Sequence, residues 1–509
     1  MTDSMTTIAE LLEAGAADRP AISAPGGVPL SYRGLRALVA RTVGALGARG
    51  IAPNDRVAFV LDNGPEAATT FLCTAIGATA APLNPAYRAD EYEFYLSDLR
   101  AKLLIVAAGK DSPAVDVAAK LGVPIARLVA QPDKGAGTFT LDFGSAPATP
   151  VPNAGFAEPD DIALVLHTSG TTSRPKIVPL TQRNVCASAR NVRETLSLTP
   201  DDRNLSIMPL FHIHGLIASL LAPLSAGSEV CCSPGFNALK FFSWMAEVKP
   251  SWYTAVPTMH QAILSRASKN ADVVAESRLR FVRSSSSSLP TTVIAELERV
   301  FRAPVVEAYG MTEAAHQMSS NPLPPSTRKP GTVGRNAGPE VRVVDDLGQT
   351  VPAGATGEIV IRGENVTRGY ENNAAANETA FIDGWFRTGD QGTMDPDGYL
   401  TITGRLKEII NRGGEKISPR EVDEIIMEHP AVHQCVTFGM PHDMLGEEVA
   451  AAIVLREGAQ ADDRELRQFA AVRLADFKVP KKILILKEIP VGATGKLQRI
   501  GLAQKLGLG

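Results

Sequence analysis

The feature that most constrains the fold is a repeated alternation of amphipathic helices with short, almost wholly apolar strands, which runs from residue 6 to about residue 335. The pattern predicts helices at Pro65–Gly77 and Ala89–Leu99, for example, each followed by a strand, at 79–83 and 101–107. Strands that are apolar on both faces must be covered on both faces, and helices between them favour parallel βαβ units. The sequence therefore predicts an α/β fold whose large N-terminal domain consists of parallel layers.

The pattern changes near residue 335. Segments 341–346, 357–362 and 398–403 alternate polar and apolar residues between Asp/Gly turns, which indicates a small antiparallel β-layer. The last hundred residues predict helices at Pro419–Met427 and 463–474 with strands around them, which is enough for a compact α+β domain. We therefore expect an N-terminal domain at 1–404 and a small, mobile C-terminal domain at 405–509.

Composition limits the class of protein. The 509 residues are 44% hydrophobic with a formal net charge of −4, so no global basic field predicts a nucleic-acid or membrane partner. Five cysteines are scattered without metal-ligand spacing, and no apolar run reaches the length of a membrane span. We expect a cytoplasmic protein with small-molecule partners; the oligomeric state is not indicated.

A Ser/Thr/Gly-rich loop follows an apolar run, 162–166, that predicts a buried strand. Its hydroxyls, backbone amides and lysine could converge on a polyphosphate. The spacing is not that of a Walker A motif. A plain polar turn explains the same composition. We expect the helix at 181–195 to follow this loop, and residues 132–153 to form a surface connection. The phosphate candidates are Thr168, Ser169, Gly170, Thr171, Thr172 and Lys176.

A second candidate is the heptad 307–313, in which Tyr309 could lie on a base, Thr312 could donate to a phosphate oxygen and Glu313 could bind Mg²⁺. An ordinary strand-to-turn segment has the same composition. Asp390 follows a glycine and could accept both ribose hydroxyls, although an aspartate that caps a turn is common.

Two glycine-containing loops complete the candidates. Gly413 and Gly414 allow a backbone to approach a ligand closely, or form a plain β-turn. Lys496 follows Gly495 near the C-terminus, where a lysine is usually only a solvated charge. It gains interest if a domain movement can bring it to the phosphates.

These motifs, taken together and in this order, strongly resemble the adenylate-forming superfamily of acyl-CoA synthetases, luciferases and peptide-synthetase adenylation domains. The resemblance covers essentially the whole chain. It implies a two-step reaction in which a carboxylate and MgATP give an acyl-adenylate and pyrophosphate, after which the thiolate of coenzyme A displaces AMP. ATP, Mg²⁺ and coenzyme A are the implied cofactor and co-substrates.

The resemblance also implies roles for individual residues. The phosphate-loop candidates would hold the phosphates, and Lys496 would be the catalytic lysine that stabilises the charge built up during attack. Two departures are Ser173 and Ile177, where the family usually has glycine. The remaining roles are adenine binding by Glu307, Ala308 and Tyr309, α-phosphate binding by Thr312, Mg²⁺ binding by Glu313, ribose-side binding by Asp390 and Arg405, a hinge at Lys407, and a pantetheine tunnel at Gly414.

The acid substrate is indicated by polar residues on the family's substrate loops. A small dicarboxylate needs donors for its second carboxylate, whereas a long chain needs an apolar pocket. His212 with His214, Ser286 and His316 offer such donors, and we place His212 among the catalytic residues as well. Segments 168–179, 209–215, 252–261 and 307–322 look closest to oxalyl-CoA synthetases, in which counterparts of His212, Ser286 and His316 are expected to hold oxalate together with the catalytic lysine.

Other interpretations stay open at this point. One is a malonyl-CoA synthetase or a short- to medium-chain fatty acyl-CoA ligase. Another is an acyl-AMP ligase that loads a carrier protein and never uses free coenzyme A. A non-enzymatic binding protein is the most distant, because it conflicts with the joint presence of Glu313, Asp390 and Lys496.

Overall fold

A computed structural model of the protein describes residues 5–145, 149–168, 175–490 and 499–509. The described residues form two compact units. The first comprises those within Met1–Thr168, Lys176–Val341 and Ile361–Ala380, and the second comprises those within Ser169–Pro175, Arg342–Val360 and Phe381–Gly509.

The first unit contains most of the helices that the structure describes, and several of them begin at residues that favour a helix start. Thr181 accepts a hydrogen bond from the amide of Asn184 at the start of one helix, and Pro65 occupies the first turn of another. The helices are α1 (Ile8–Leu11), α2 (Tyr32–Gly47), α3 (Pro65–Gly77), α4 (Ala89–Leu99), α5 (Pro113–Leu121), α6 (Gln182–Thr195), α7 (Ala222–Ser225), α8 (Phe241–Val248), α9 (Pro257–Ala267), α10 (Ala271–Glu276), α11 (Thr291–Phe301) and α12 (Ala374–Ala380), with a π-helical segment at His214–Leu221 and 3₁₀ turns at Leu12–Ala14, Pro132–Lys134, Ser268–Asn270 and Thr312–Ala314.

The strands of the first unit are short and mostly buried. They are β1 (Pro20–Ser23), β2 (Leu30–Ser31), β3 (Arg56–Val60), β4 (Thr79–Pro82), β5 (Leu103–Ala107), β6 (Ile125–Ala130), β7 (Phe139–Asp142), β8 (Ile162–Thr168), β9 (Lys176–Thr181), β10 (Arg203–Ser206), β11 (Glu229–Cys232), β12 (Trp252–Ala255), β13 (Phe281–Ser284), β14 (Val305–Met311), β15 (His316–Ser320) and β16 (Arg335–Asn336).

These strands form two sheets within the described residues. One has the order β7-β6-β5-β3-β4-β8-β9, and the other has the order β16-β15-β14-β13-β12-β10-β11-β1-β2. The central pairs are parallel in both sheets, and antiparallel pairs occur towards the edges. Helices between parallel strands are what the alternating pattern predicts, so the α/β fold class is confirmed.

Two local expectations for this unit are incomplete, the first because the helix expected at 181–195 is present as α6 but a strand precedes it. The segment at 176–181 is a strand, β9, that pairs antiparallel with β8, so the Ser/Thr/Gly-rich stretch joins two strands and not a strand to a helix. Pro179 obscured this strand in the sequence, but a proline is tolerated because β9 is the last strand of its sheet. Residues 132–153 are not only a surface connection, since they contain β7, whose Phe139 is buried.

The second unit is smaller and mainly antiparallel. Its described strands form two sheets, one ordered β17-β18-β20-β19 with β21 on β20, and the other β23-β22-β25-β24 with β26 on β25. The elements are β17 (Glu340–Val344), β18 (Thr356–Arg362), β19 (Phe381–Ile382), β20 (Trp385–Met394), β21 (Leu400–Arg405), β22 (Ile410–Arg412), β23 (Glu415–Ile417), β24 (Val432–His442), β25 (Gly446–Leu455), β26 (Lys482–Leu486), α13 (Pro419–Met427), α14 (Asp463–Ala471), α15 (Leu502–Lys505) and a 3₁₀ turn at Leu406–Glu408.

The β-layer and the α+β segment therefore both exist as expected, and they belong to the same compact unit. Helix α13 packs Val422 and Ile426 onto a core with Ile453 of β25 and Leu466 of α14. A domain boundary between residues 404 and 405 with a hinge at Lys407 stays a prediction.

Two further properties concern the described chain as a whole. All five cysteines lie within it as buried, free thiols. None of its helices is both long enough and apolar enough to cross a lipid bilayer.

Candidate active site

A cluster of buried polar side chains lies where the central strands of the larger sheet end. Arg283 is within β13, and Ser286 lies two residues beyond that strand. His214 begins the π-helical segment, and His316 begins β15, which pairs with β14. Strands β12, β13 and β14 are parallel neighbours, and ligands in such sheets bind outside the carboxyl ends of the strands.

His214 is the centre of this cluster and is fully buried. Its Nδ1 lies 3.0 Å from Ser286 Oγ, and its Nε2 lies 2.7 Å from Thr254 Oγ1. The ring stacks on that of His316 with centroids 4.9 Å apart and an interplanar angle of 17°. Both ring nitrogens of His214 are thus held by hydroxyl groups, which fixes the plane of the imidazole.

Arg283 contacts both histidines through its guanidinium group and is also fully buried. Its Nη1 is 3.3 Å from His214 Nε2, and its Nη2 is 3.1 Å from His316 Nε2 and 3.2 Å from Gln317 Oε1. Burial lowers the pKa of Arg283 to about 9, so the guanidinium stays protonated at pH 7. Burial, followed by repulsion from Arg283 and His212, holds the pKa of His316 well below its usual value, and its imidazole is therefore neutral at pH 7.

The backbone around this cluster is unusual. Ser286, Ala315 and His316 have φ angles of 73°, 46° and 103°, a region that non-glycine residues rarely adopt. At Gly310 a Cβ atom would lie 1.7 Å from the carbonyl oxygen of His316, so only glycine fits beside this strained turn. Such strain is often found at functional sites, where surrounding contacts hold it in place.

A second group lies in the same unit and contains two of the nucleotide candidates. Glu313 is buried, and its Oε1 accepts a hydrogen bond of 2.9 Å from the hydroxyl of Tyr370. Lys176 Nζ lies 4.3 Å from the centroid of the same tyrosine ring. Burial, together with the charge of Glu313, raises the pKa of Tyr370, so the phenol stays a neutral donor. The carboxylate of Glu313 and the ammonium of Lys176 are thus both held by one aromatic side chain.

The remaining candidates of the first unit lie on or near β14 and β8. Thr168 pairs with Lys176 in the β8–β9 ladder. Glu307 accepts from the amide of Gly331 at 3.1 Å, and the carbonyl of Ala308 accepts from Ser285 Oγ at 2.9 Å. Three more candidates differ in exposure: Tyr309 is buried, whereas Thr312 and His212 are partly exposed.

His212 holds the start of the π-helical segment, because its Nδ1 accepts from the amide of His214 at 3.4 Å. Of the two histidines in this loop, it is His214 that contacts Ser286 and stacks on His316. The catalytic and substrate-binding roles that the sequence assigns to His212 stay predictions.

The second unit brings Asp390 and Arg405 together. They face each other across the β20–β21 pair, and Arg405 Nε donates to Asp390 Oδ1 at 2.9 Å. Lys407 is exposed in the turn after β21. Gly413 and Gly414 connect β22 to β23 with φ angles of 58° and 94°, as a tight hairpin turn requires.

Some of the predicted site residues lie outside the described residues. They are Ser169, Gly170, Thr171 and Thr172 of the phosphate-loop candidates, and Lys496. Their assigned roles stay predictions.

Comparison with known proteins decides the family. The family model described as "AMP-binding enzyme" matches residues 12–371, and that described as "AMP-binding enzyme C-terminal domain" matches residues 421–496. The chain belongs to the AMP-binding enzyme family. The adenylate-forming superfamily indicated by the sequence motifs is thereby confirmed.

Several members of this family are similar over almost the whole chain. An oxalate–CoA ligase from Arabidopsis thaliana is 44% identical over 99% of this chain and 98% of its own. An oxalate–CoA ligase from Saccharomyces cerevisiae is 42% identical over 88% of this chain and 86% of its own. The crystal structure of ATP-bound MatB from Rhodopseudomonas palustris has a TM-score of 0.87 and 29% identity, covering 98% of both chains.

Sequence reasoning missed two residues of this AMP-binding enzyme that the geometry makes prominent. Arg283 was not singled out, although a charged residue that directly follows Phe281 and Val282 in a buried strand is itself an unusual signal. Tyr370 lies outside the motifs, 57 residues from its partner Glu313, and nothing local in the sequence marks it.

Proposed function

We propose that the chain is an AMP-forming acid–thiol ligase that activates oxalate as oxalyl-adenylate and transfers the oxalyl group to coenzyme A. The observation that supports oxalate is the buried, donor-rich cluster of His214, Ser286, His316 and Arg283. A desolvated second carboxylate needs such donors, and a hydrocarbon chain would leave them unpaired. The likeness to two oxalate–CoA ligases over most of the chain supports the same acid.

The proposed chemistry has two steps. In the first, one carboxylate oxygen of oxalate attacks the α-phosphorus of ATP, an O–P bond forms, and pyrophosphate leaves. In the second, the thiolate of coenzyme A attacks the activated carbonyl carbon, and AMP leaves with the former carboxylate oxygen. We assign charge stabilisation in the first step to the ammonium of Lys496.

Nucleotide binding is assigned to the groups implied by the motifs. Thr168, Ser169, Gly170, Thr171, Thr172 and Lys176 would hold the phosphates, with Glu307, Ala308 and Tyr309 beside adenine and Thr312 at the α-phosphate. Asp390 and Arg405 would meet the ribose side. Lys407 is the proposed hinge, and Gly414 the proposed contact to pantetheine.

Mg²⁺ fits the donor chemistry of the second group in the first unit. Glu313 offers a carboxylate, and Mg²⁺ is usually held by one or two carboxylates together with substrate phosphates and water. Tyr370 orients this carboxylate through one oxygen. Mg²⁺ bound there would neutralise phosphate charge, while Lys176, placed over the same tyrosine, would add a second positive charge nearby.

The test is a measurement of pyrophosphate release and AMP formation with oxalate, malonate and hexanoate, each with and without coenzyme A. We expect AMP formation that requires both oxalate and coenzyme A. If malonate or hexanoate gives CoA-dependent AMP and oxalate does not, the proposed acid is wrong. Formation of AMP that does not depend on coenzyme A but requires a carrier protein would favour an acyl-AMP ligase.

A further inference from the structure

Arg283 carries a buried charge that no carboxylate in the described part of the chain neutralises. Its side chain is fully buried, and no Asp or Glu among the described residues lies at ion-pair distance from it. Its Nε has no hydrogen-bond partner there either. Buried charges are normally paired, because removing an ion from water costs several kcal/mol. A negative charge from outside the protein would complete this site.

The contacts of Arg283 fix the proton positions on both histidines. A guanidinium can only donate, so Nε2 of His214 and Nε2 of His316 must both be acceptors. Each neutral imidazole therefore carries its proton on Nδ1. Nδ1–H of His214 donates to Ser286 Oγ, which leaves the hydroxyl proton of this partly exposed serine available to a ligand.

The Nδ1 side of His316 faces the adenylate motif. A Cβ atom at Gly310 would lie 3.2 Å from His316 Nδ1, so this donor lies beside the strand β14 that carries Tyr309 and Met311. Gln317 cannot replace Arg283 as a donor, because its amide nitrogen is already bound to Thr195 Oγ1 and to a backbone carbonyl.

The charged groups on the other elements that pack against His316 either have partners of their own or are exposed. On the 3₁₀ turn before β15, Glu313 accepts from Tyr370. On β14, Glu307 accepts from a backbone amide. On α6, Arg190 pairs with Glu364 at 2.8 Å. On β16, Arg335 is exposed. The charges that act on the imidazole of His316 from nearby are those of Arg283 and of His212 when protonated.

We propose that Arg283 is the positioning residue for acid selection: through the imidazoles of His214 and His316, held as Nδ1–H donors, it presents its positive charge to the second carboxylate of the acid. This inference rests on the proposed function, because it concerns the acid site of the same reaction. Arg283 does not itself touch the acid in this arrangement. The imidazole of His316 and the hydroxyl of Ser286 are the groups that contact the acid, and the imidazole of His214 acts through Ser286.

The chemistry of this site selects a small dianion. A second carboxylate entering a dry site is stabilised by a nearby positive charge far more than in water. A monocarboxylic acid with an apolar tail would gain nothing from that charge and would leave Ser286 unpaired. Lysine could not take the place of arginine, because one ammonium does not have the fork geometry that reaches two imidazoles and an amide at once.

The experiment compares two variants. Arg283→Gln removes the positive charge and keeps an N–H hydrogen-bond donor, whereas Arg283→Lys keeps the charge and lacks the forked N–H groups of the guanidinium. Arg280→Gln is the matched control, since Arg280 is three residues earlier, is more exposed and pairs with Asp202. We expect Arg283→Gln to raise the KM for oxalate about 10- to 100-fold with the KM for ATP within about twofold of wild type. Arg283→Lys should give a smaller rise, and Arg280→Gln none.

A pH series separates a charge effect from loss of structure. In wild type the KM for oxalate should be flat between about pH 6 and 8, because burial and the charge of Arg283 together keep the imidazole of His316 neutral. In Arg283→Gln the repulsion is gone and only burial still opposes protonation of His316, so the pKa of His316 rises and its imidazole takes up a proton more readily at lower pH, which restores positive charge. The KM of that variant should therefore be lower at the acid end of this range than at the basic end, whereas Arg283→Lys should stay flat.

The outcomes for the two proposals differ. If wild type uses oxalate but Arg283→Gln raises the KM for oxalate and that for ATP equally, or gives no pH dependence, the role of Arg283 is overturned and the proposed function stands. If wild type uses malonate and not oxalate, the proposed acid is wrong, and the same series with malonate, also a dianion, tests Arg283. If only hexanoate is used, both proposals fail.

If Arg283→Gln does not fold, Arg283→Lys is the variant that tests the proposal. A KM for oxalate of Arg283→Lys equal to that of wild type would then contradict the requirement for the forked guanidinium.

Discussion

Two arginines, one in each compact unit, are placed in opposite ways. Arg499 donates to Asp423 and, at 3.1 Å, to Glu408. Burial alone would lower the pKa of Arg499, but the charges of these two carboxylates outweigh it and raise the pKa. Arg283 contacts two neutral imidazoles and an amide, and burial lowers its pKa to about 9. The first arginine completes a charge pair inside the fold, whereas the second remains a positive charge that the described residues do not neutralise.

Structural and functional charges differ in what their removal does to stability. Removing one partner of a buried ion pair leaves the other charge uncompensated and is strongly destabilising. Removing a buried charge that has no counterion takes away an unfavourable group, and this gain offsets the hydrogen bonds that are lost with it. The free energy of unfolding then changes little. An arginine that the fold could lose with little change in stability, and that nevertheless lies behind a candidate substrate site, is better explained by its ligand than by its packing.

The largest expected effect concerns a third cation, Lys496, whose proposed role is in the chemistry itself. Lys496→Ala should lower the rate of oxalyl-adenylate formation at least about 1000-fold, because the charge built up during attack on phosphorus loses its stabilising ammonium. Thioester formation from supplied oxalyl-adenylate and coenzyme A should remain largely intact. Separate assays of the two half-reactions measure this, and equal loss of both would contradict the assignment.

The next effect compares the two arginines directly by stability. Arg499→Gln should lower the free energy of unfolding by about 3–5 kcal/mol, since it leaves the buried Asp423 without its positive partner. Arg283→Gln should change it by no more than about 1 kcal/mol. Denaturant unfolding measures both. A partial recovery in Arg499→Gln/Asp423→Asn would confirm the pair, and a larger loss in Arg283→Gln than in Arg499→Gln would reverse the comparison.

A smaller effect is expected at His316, one of the two imidazoles that Arg283 holds. His316→Ala should raise the KM for oxalate about 10- to 100-fold and leave that for ATP nearly unchanged, because it removes a donor to the acid and not to the nucleotide. Steady-state kinetics with each substrate varied in turn measures the two constants. A matching rise in both would argue that His316 only supports the fold.

The smallest effect concerns the free energy of unfolding as the pH falls below about 6.5. Burial lowers the pKa of His260 to about 3 and that of His316 well below 6.5, so these groups bind protons only in the unfolded state over this range. Stability should be full above about pH 6.5 and fall as the pH drops, by about 2 kcal/mol per group at about pH 5. In Arg283→Gln the loss of stability between about pH 6.5 and 5 should be smaller, because the pKa of His316 in the folded state rises when the charge of Arg283 is removed. An unchanged loss in denaturant titrations would count against repulsion between Arg283 and protonated His316.

Local patterns were sufficient for much of the fold. Helices α3 and α4 have the bounds that the sequence predicts, as does α13. Strand β9 was missed because Pro179 is unfavourable in most strands, and only its place at a sheet edge makes it acceptable. The candidate site was predicted in its chemistry but less well in its contacts: two histidines two residues apart are equivalent in the sequence, and the helical geometry decides that His214 meets Ser286.

The family, the α/β class and the residues of the nucleotide motifs could be predicted from the amino-acid sequence, because hydrophobic periodicity and motif spacing are local properties of the chain. The contacts of Arg283, by contrast, follow from the folded structure alone. Its partners His214 and His316 lie 69 and 33 residues away, and they meet because parallel strands bring distant loops to one edge of a sheet. Whether a buried charge is neutralised depends on every group that surrounds it, and that is a property of the folded arrangement alone.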